Sequence, residues 1–347
     1  MDKITSQTIN FLRFPLIICV VSIHTVFIVP GNLRGYEVFK YILGCFTGLA
    51  VPMFFIISSF LFFYDMKEFD TQKWCVKLKK RIRTLLMPYL FWNLCYLLFM
   101  LIVQLSFPNI VWERKMIYNY SFFELINSFW NFGGMYYGMP ILYSFWFIRN
   151  LMVLNLFAPI FYFFLKKTPV ISIVICLIFF IFNPFNFTAT NMDWIKSILF
   201  YSIGAFCAIH AIDFTDSRNL FYPFSIFFIL SVVLAYFTPN FIRFCWSQIL
   251  LIFGSFSIPT IIRRGILSKK VQVNNFLVAS SFFVYAFHLF IIIPFNRLWT
   301  TILPINSWIA SIMLIVVPVF VVFISVCIYY LLKVYFPKFT ELIIGGR

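Results

Sequence analysis

Acidic side chains are scarce and confined. The 347 residues include only 11 Asp and Glu, and none of them falls inside a long apolar run. Proton-coupled transporters keep a carboxylate at membrane depth as a relay, so this omission argues against that class. Charge of either sign is sparse as well, at 11% of residues, where a soluble domain carries roughly a quarter. A soluble enzyme with a solvated surface is thereby excluded. The eight cysteines form no Cys-x-x-Cys pair, and no His stands at metal-ligand spacing from them. Neither a disulfide framework nor a zinc site is expected. No polar stretch is long enough for a soluble domain, and no repeat is visible. The first apolar run ends without a small-residue cleavage site, so a cleavable signal peptide is not expected.

What the chain has instead is apolar length. Hydrophobic residues make up 63% of it, with 51 Phe. They come in runs of about 20, the length that crosses ~30 Å of hydrocarbon as a helix. The reading is an all-α, polytopic membrane protein forming one domain over residues 1–347. Ten spans are expected, at 8–29, 42–64, 85–105, 140–165, 169–186, 194–210, 220–237, 244–262, 276–295 and 307–334. The fifth is the weakest, because Asn183, Pro184 and Asn186 interrupt its end. The tenth carries Pro318 and should tilt or kink. Residues 106–140 are too polar to span.

The net charge is +16. Lys and Arg sit between the apolar runs, so nucleic acid is not the expected partner. With the N-terminus inside, eighteen Lys and Arg fall in inner segments and seven in outer ones. That bias predicts both termini in the cytoplasm and a multi-pass protein of the cell inner membrane.

Away from the span ends, where Lys196, His210 and Lys333 fall, the charged or imidazole groups within the predicted spans are Arg13, His24, Arg149 and His288. Such groups are costly in lipid and are functional candidates. Arg13 and His24 are eleven residues apart, three helical turns plus about 20°, which puts both on one face about 16 Å apart. Snorkelling is the bland reading of Arg13, and an interhelical hydrogen bond that of His24.

The Arg-x10-His pair resembles the signature of the acyltransferase-3 family of integral-membrane O-acyltransferases, and further motifs match in order. Residues 51–60 (ValProMetPhePheIleIleSer58Ser59Phe) are similar to the family's Pro-x-Phe-Phe-x-x-Ser-Gly-Phe, with Ser59 where Gly is usual. Residues 79–88 (LysLysArg81IleArg83…Pro88) resemble its basic segment before the third span. SerPheTrp146PheIleArg149, PheTyr201SerIleGly204 and PheValTyr285AlaPheHis288 follow, with Leu289 replacing the common Pro. The resemblance covers most of the chain.

It implies transfer of an acyl group, most often acetyl, from cytoplasmic acyl-CoA to a hydroxyl of an envelope or exported saccharide or a lipid-linked glycan. Acyl-CoA (acetyl-CoA) would be a co-substrate, with no permanently bound cofactor and no metal. The basic run Lys73, Lys77, Lys79, Lys80, Arg81 and Arg83 suits its phosphates, although the same run is also topogenic and can contact anionic lipid. Lys80, Arg81, Arg83 and Arg13 are the expected donor-binding residues. Catalysis is assigned to His24 as general base, aided by Arg13. Ser58, Trp146 and Arg149 are placed with the substrate and its developing oxyanion, although Arg149 reads equally as an interfacial anchor. His288 is expected to structure the ninth span, and His210 has no assigned role. Trp112, Tyr118, Tyr120, Trp130, Tyr136 and Tyr137 form either an interfacial belt or a lid over a saccharide. A non-enzymatic exporter of polysaccharide or lipid is the alternative function.

Overall fold

The computed structural model describes residues 1–25, 34–66, 68–107, 115–133, 138–303 and 306–346. Trp112, Tyr136 and Tyr137 lie outside them, as does the end of the first predicted span beyond Thr25.

Each of the ten predicted segments contains helix, although residues 140–142 of the fourth and 183–186 of the fifth are not helical. Along the chain run α1 (Lys3–His24), α2 (Arg34–Thr47), α3 (Ala50–Phe63), α4 (Thr71–Arg81), α5 (Met87–Ser106), the short α6 (Phe122–Asn127), α7 (Trp146–Leu156), α8 (Ala158–Lys167), α9 (Pro169–Phe182), α10 (Ala189–Ile209), α11 (Phe221–Phe237), α12 (Asn240–Leu267), α13 (Asn275–Ile302), α14 (Ser307–Tyr335) and α15 (Pro337–Ile344). Among the described residues, eight helical stretches are long and apolar enough to cross a membrane. The fourth predicted span is instead a bent pair: α7 and α8 meet at 66°, with Pro159 at the start of α8, where proline fits a helix opening. The fifth is α9, only 14 residues long. Asn183 ends it in a left-handed conformation (φ 42°). The tenth continues through Pro318 as one helix.

Polar side chains set several starts. Asp70 accepts from the backbone amides of Gln72 and Lys73 at 2.8 and 3.1 Å. Asn274 caps α13 and Asn306 caps α14 in the same way. These satisfy amides that a helix start leaves orphaned.

The first helix, α1, sits centrally, packed against α2, α3, α12, α13 and α14. Helices α3 and α10 meet over Gly204, where a Cβ would overlap the Ile56 carbonyl and come 2.8 Å from its Cα. Small residues allow such close approach between helices in lipid. At one end of the bundle Arg263 gathers the chain: its guanidinium donates to Asp213 at 2.8 Å and Thr5 at 3.0 Å, and pairs with Asp2 at 3.3 Å. The C-terminal α15 folds back at the same end, where the Trp92 indole donates to the Ile343 carbonyl at 2.9 Å. Gly345, with φ +76°, seats against Thr84. Both ends of the described chain and the basic α4 therefore share one end of the bundle, called here the basic end.

Candidate active site

Helix α4 continues into α5 through a π-helical turn at Ile82–Leu86. Such turns insert an extra residue and shift the faces on either side. Here Arg81 points into a cavity, whereas Arg83 is exposed and lines none of it. This inner cavity, about 580 Å³, opens at the basic end. Arg13, Lys77, Lys80, Arg81, Ser58 and Gly346 are in its lining. Lys77 is engaged with Asp65 and the Phe62 carbonyl. Arg13 and Arg81 have neither a carboxylate nor a hydrogen-bond partner among the described residues. Two half-buried, unpaired guanidinium groups around one space favour an anion.

A second cavity of about 890 Å³ lies toward the opposite end, with His24 and Trp146 in its wall. Its rim carries two lysine–carboxylate pairs: Lys196 with Asp193 at 3.0 Å and Lys40 with Glu37 at 3.4 Å. Sequence reasoning set both carboxylates aside, because they fell outside the predicted spans. The helices α2 and α10 begin earlier than expected and carry them to the cavity. Lys196 Nζ lies 5.8 Å from the centre of the Trp146 ring. The Ser144 hydroxyl, buried in this wall, has no hydrogen-bond partner among the described residues.

The two cavities share three residues: Phe54, Phe147 and Tyr285. Arg13 is on one side of this aromatic wall and His24 on the other, as one helix face three turns long dictates. Ser58, a turn from Phe54 on α3, belongs to the inner side. The Tyr285 hydroxyl donates to the Ser144 carbonyl at 2.6 Å, which ties α13 to the segment leading into α7.

Arg149 lines neither cavity. It is buried and donates to the carbonyls of Trp130 and Gly138 at 2.7 and 2.6 Å and to Asn150 Oδ1 at 3.0 Å. Its guanidinium lies 5.0 Å from the Trp130 ring and 5.4 Å from that of Trp194. All three guanidinium nitrogens donate internally, so the geometry gives Arg149 an anchoring position, away from both cavities. His288 stands beside His24, with ring centroids 5.2 Å apart. No one-dimensional signal placed them together, since 264 residues separate them. His210 Nε2 lies 3.0 Å from the Leu165 carbonyl oxygen and lines neither cavity.

Two pockets that open at opposite ends of a bundle and meet at a wall of side chains suit an enzyme passing a group between substrates that arrive from opposite sides. The family relationship agrees. The acyltransferase domain family model matches residues 7–333, and the chain belongs to this acyltransferase-3 family; it is a multi-pass membrane acyltransferase. The succinoglycan biosynthesis protein ExoH of Rhizobium meliloti (strain 1021) is 24% identical over 326 residues, covering 86% of this chain and 82% of the relative. No solved structure matches the chain.

Proposed function

We propose that this protein moves an acyl group, most often acetyl, from cytoplasmic acyl-CoA to a hydroxyl of an envelope or exported saccharide or a lipid-linked glycan. The observation that carries this reading is the pair of cavities meeting at Phe54, Phe147 and Tyr285, cationic on one side and holding His24 on the other. The basic end faces the cytoplasm of the inner membrane, in keeping with the charge bias. Arg13, Arg81 and Lys80 hold the phosphates of acyl-CoA, which is a co-substrate and not a resident group. The thioester arm reaches past Arg13 to the aromatic wall. The acceptor enters the opposite cavity and packs a sugar ring on Trp146. His24 takes its hydroxyl proton as the oxygen attacks the thioester carbonyl. The Ser144 hydroxyl, without a partner among the described residues, is a donor on that side for the developing oxyanion. A saccharide acceptor is consistent with the succinoglycan role printed for the relative. An exporter would need a continuous polar lumen, and three aromatic side chains stand between these two cavities.

The test uses purified protein in lipid nanodiscs, labelled acetyl-CoA, and host envelope membranes as acceptor. His24→Ala should lower transfer on the order of 10²–10⁴-fold. Asp193→Asn should cost far less, because Asp193 is held by Lys196 at 3.0 Å. Full transfer by a well-folded His24→Ala protein would overturn the reading.

A further inference from the structure

His288 on α13 is completely buried. Its Nδ1 lies 2.6 Å from the Tyr285 carbonyl oxygen. A carbonyl can only accept, so Nδ1 carries the proton of the neutral ring and Nε2 presents a bare lone pair. That Nε2 has no hydrogen-bond partner among the described residues. Buried polar atoms are nearly always paired, and one that is not calls for a reason. Ordinary packing supplies none, since the Tyr285 bond alone would hold the ring.

The ring next to it supplies one. The His24 and His288 rings are 5.2 Å apart with planes 29° from parallel, and Tyr143 meets His24 edge-on at 5.0 Å. A catalytic base is commonly oriented by a third group, most often a carboxylate. Here the two carboxylates of the same cavity, Asp193 and Glu37, are already paired with lysines.

We propose that His288 is the positioning partner of His24: a neutral imidazole of fixed tautomer, packed beside the His24 ring, whose bare Nε2 accepts from that ring once it takes the proton and so stabilises the cation His24 becomes during transfer. The inference rests on the acyl-transfer reading above. In the step it serves, the acceptor hydroxyl gives its proton to His24 while its oxygen bonds to the thioester carbonyl carbon. The carbon–sulfur bond then breaks, and His24 returns the proton to the departing CoA sulfur. His288 keeps its own proton on Nδ1 throughout and touches neither substrate.

Two variants in the acetyl-CoA assay test this. His288→Phe keeps a ring of similar size and removes the lone pair. His288→Gln places an amide oxygen near the site of Nε2. We expect His288→Phe to lower kcat on the order of 10–100-fold, short of the loss of the base itself, with KM for acetyl-CoA within about twofold, and His288→Gln to recover several-fold of that loss. Wild-type kcat in His288→Phe would overturn the proposal, as would equal losses in two equally stable variants. An independent measurement needs no variant of His288. The chain has only 3 His, so ¹⁵N-histidine spectra of the wild-type protein in nanodiscs can be assigned. His288 should show a protonated Nδ1 and a bare Nε2, and the Nε2 resonance should move in His24→Phe. A protonated Nε2, or no movement, overturns the proposal even if the His288 variants do not fold. If His24→Ala is inactive while His288→Phe is normal, only this inference fails. If His24→Ala is fully active, the base assignment fails and takes the inference with it.

Discussion

Arg149 donates to the Trp130 carbonyl at 2.7 Å and stacks its guanidinium 5.0 Å from the Trp130 ring. This double contact holds the segment around α6 against α7. A planar fork is needed to reach Trp130, Gly138 and Asn150 together, which a lysine cannot do. Arg149→Ala should therefore lower the stability of the solubilised protein by about 1–3 kcal/mol, since it leaves the buried Asn150 oxygen without its donor. Arg149→Lys should fall in between. Thermal unfolding checks both. A fully stable Arg149→Ala protein with lost kcat would instead place this arginine at the oxyanion.

Arg81 and Arg83 should separate. Arg81 lines the inner cavity with no hydrogen-bond partner among the described residues, and Arg83 is exposed beyond the π-helical turn. Loss of a hydrogen bond to a charged group costs about 1.5–3 kcal/mol, so Arg81→Ala should weaken acyl-CoA binding roughly 10–100-fold. Arg83→Ala should leave it within about twofold, as expected of an exposed charge. Titration of the nanodisc-embedded variants with acyl-CoA decides. Equal effects would make the whole basic run a diffuse electrostatic surface.

Gly204→Ala should destabilise the protein without touching either cavity. The added methyl would collide with the backbone of Ile56, which cannot swing away as a side-chain tip can. Overpacking of this kind costs about 1–3 kcal/mol. Reduced membrane abundance with normal KM for the molecules that fold is the expected result, measured by quantitative blotting beside the transfer assay.

Reporter fusions placed near Lys115 and near Lys269 should report opposite sides of the membrane, with the Lys269 side cytoplasmic. Lys269 follows α12, whose Arg263 binds Asp2 and Asp213 at the basic end. Signals from the same side would reverse the direction assigned to donor and acceptor.

Much of this molecule could be read before folding. Apolar runs of about 20 residues with no carboxylate leave helices as the backbone's means of satisfying itself in lipid. Each of the ten segments contains helix, though α9 is short and α7–α8 is bent, because a mean of hydropathy carries no information about length at a proline or a left-handed asparagine. Arg13 and His24 share a face by the arithmetic of one helix, and they do line the inner and outer cavities. Other features required the packed bundle. Arg149 bonds to Trp130 and Gly138 on a loop, Asp193 and Glu37 reach a cavity because their helices start early, and Arg81 and Arg83 part at a π-helical turn that no hydrophobic period announces. His288 meets His24 only because α13 packs along α1. Periodicity within one helix fixes which residues share its face, but contact between helices depends on the shapes of side chains that meet across hundreds of residues of chain, and that is settled only when the bundle closes.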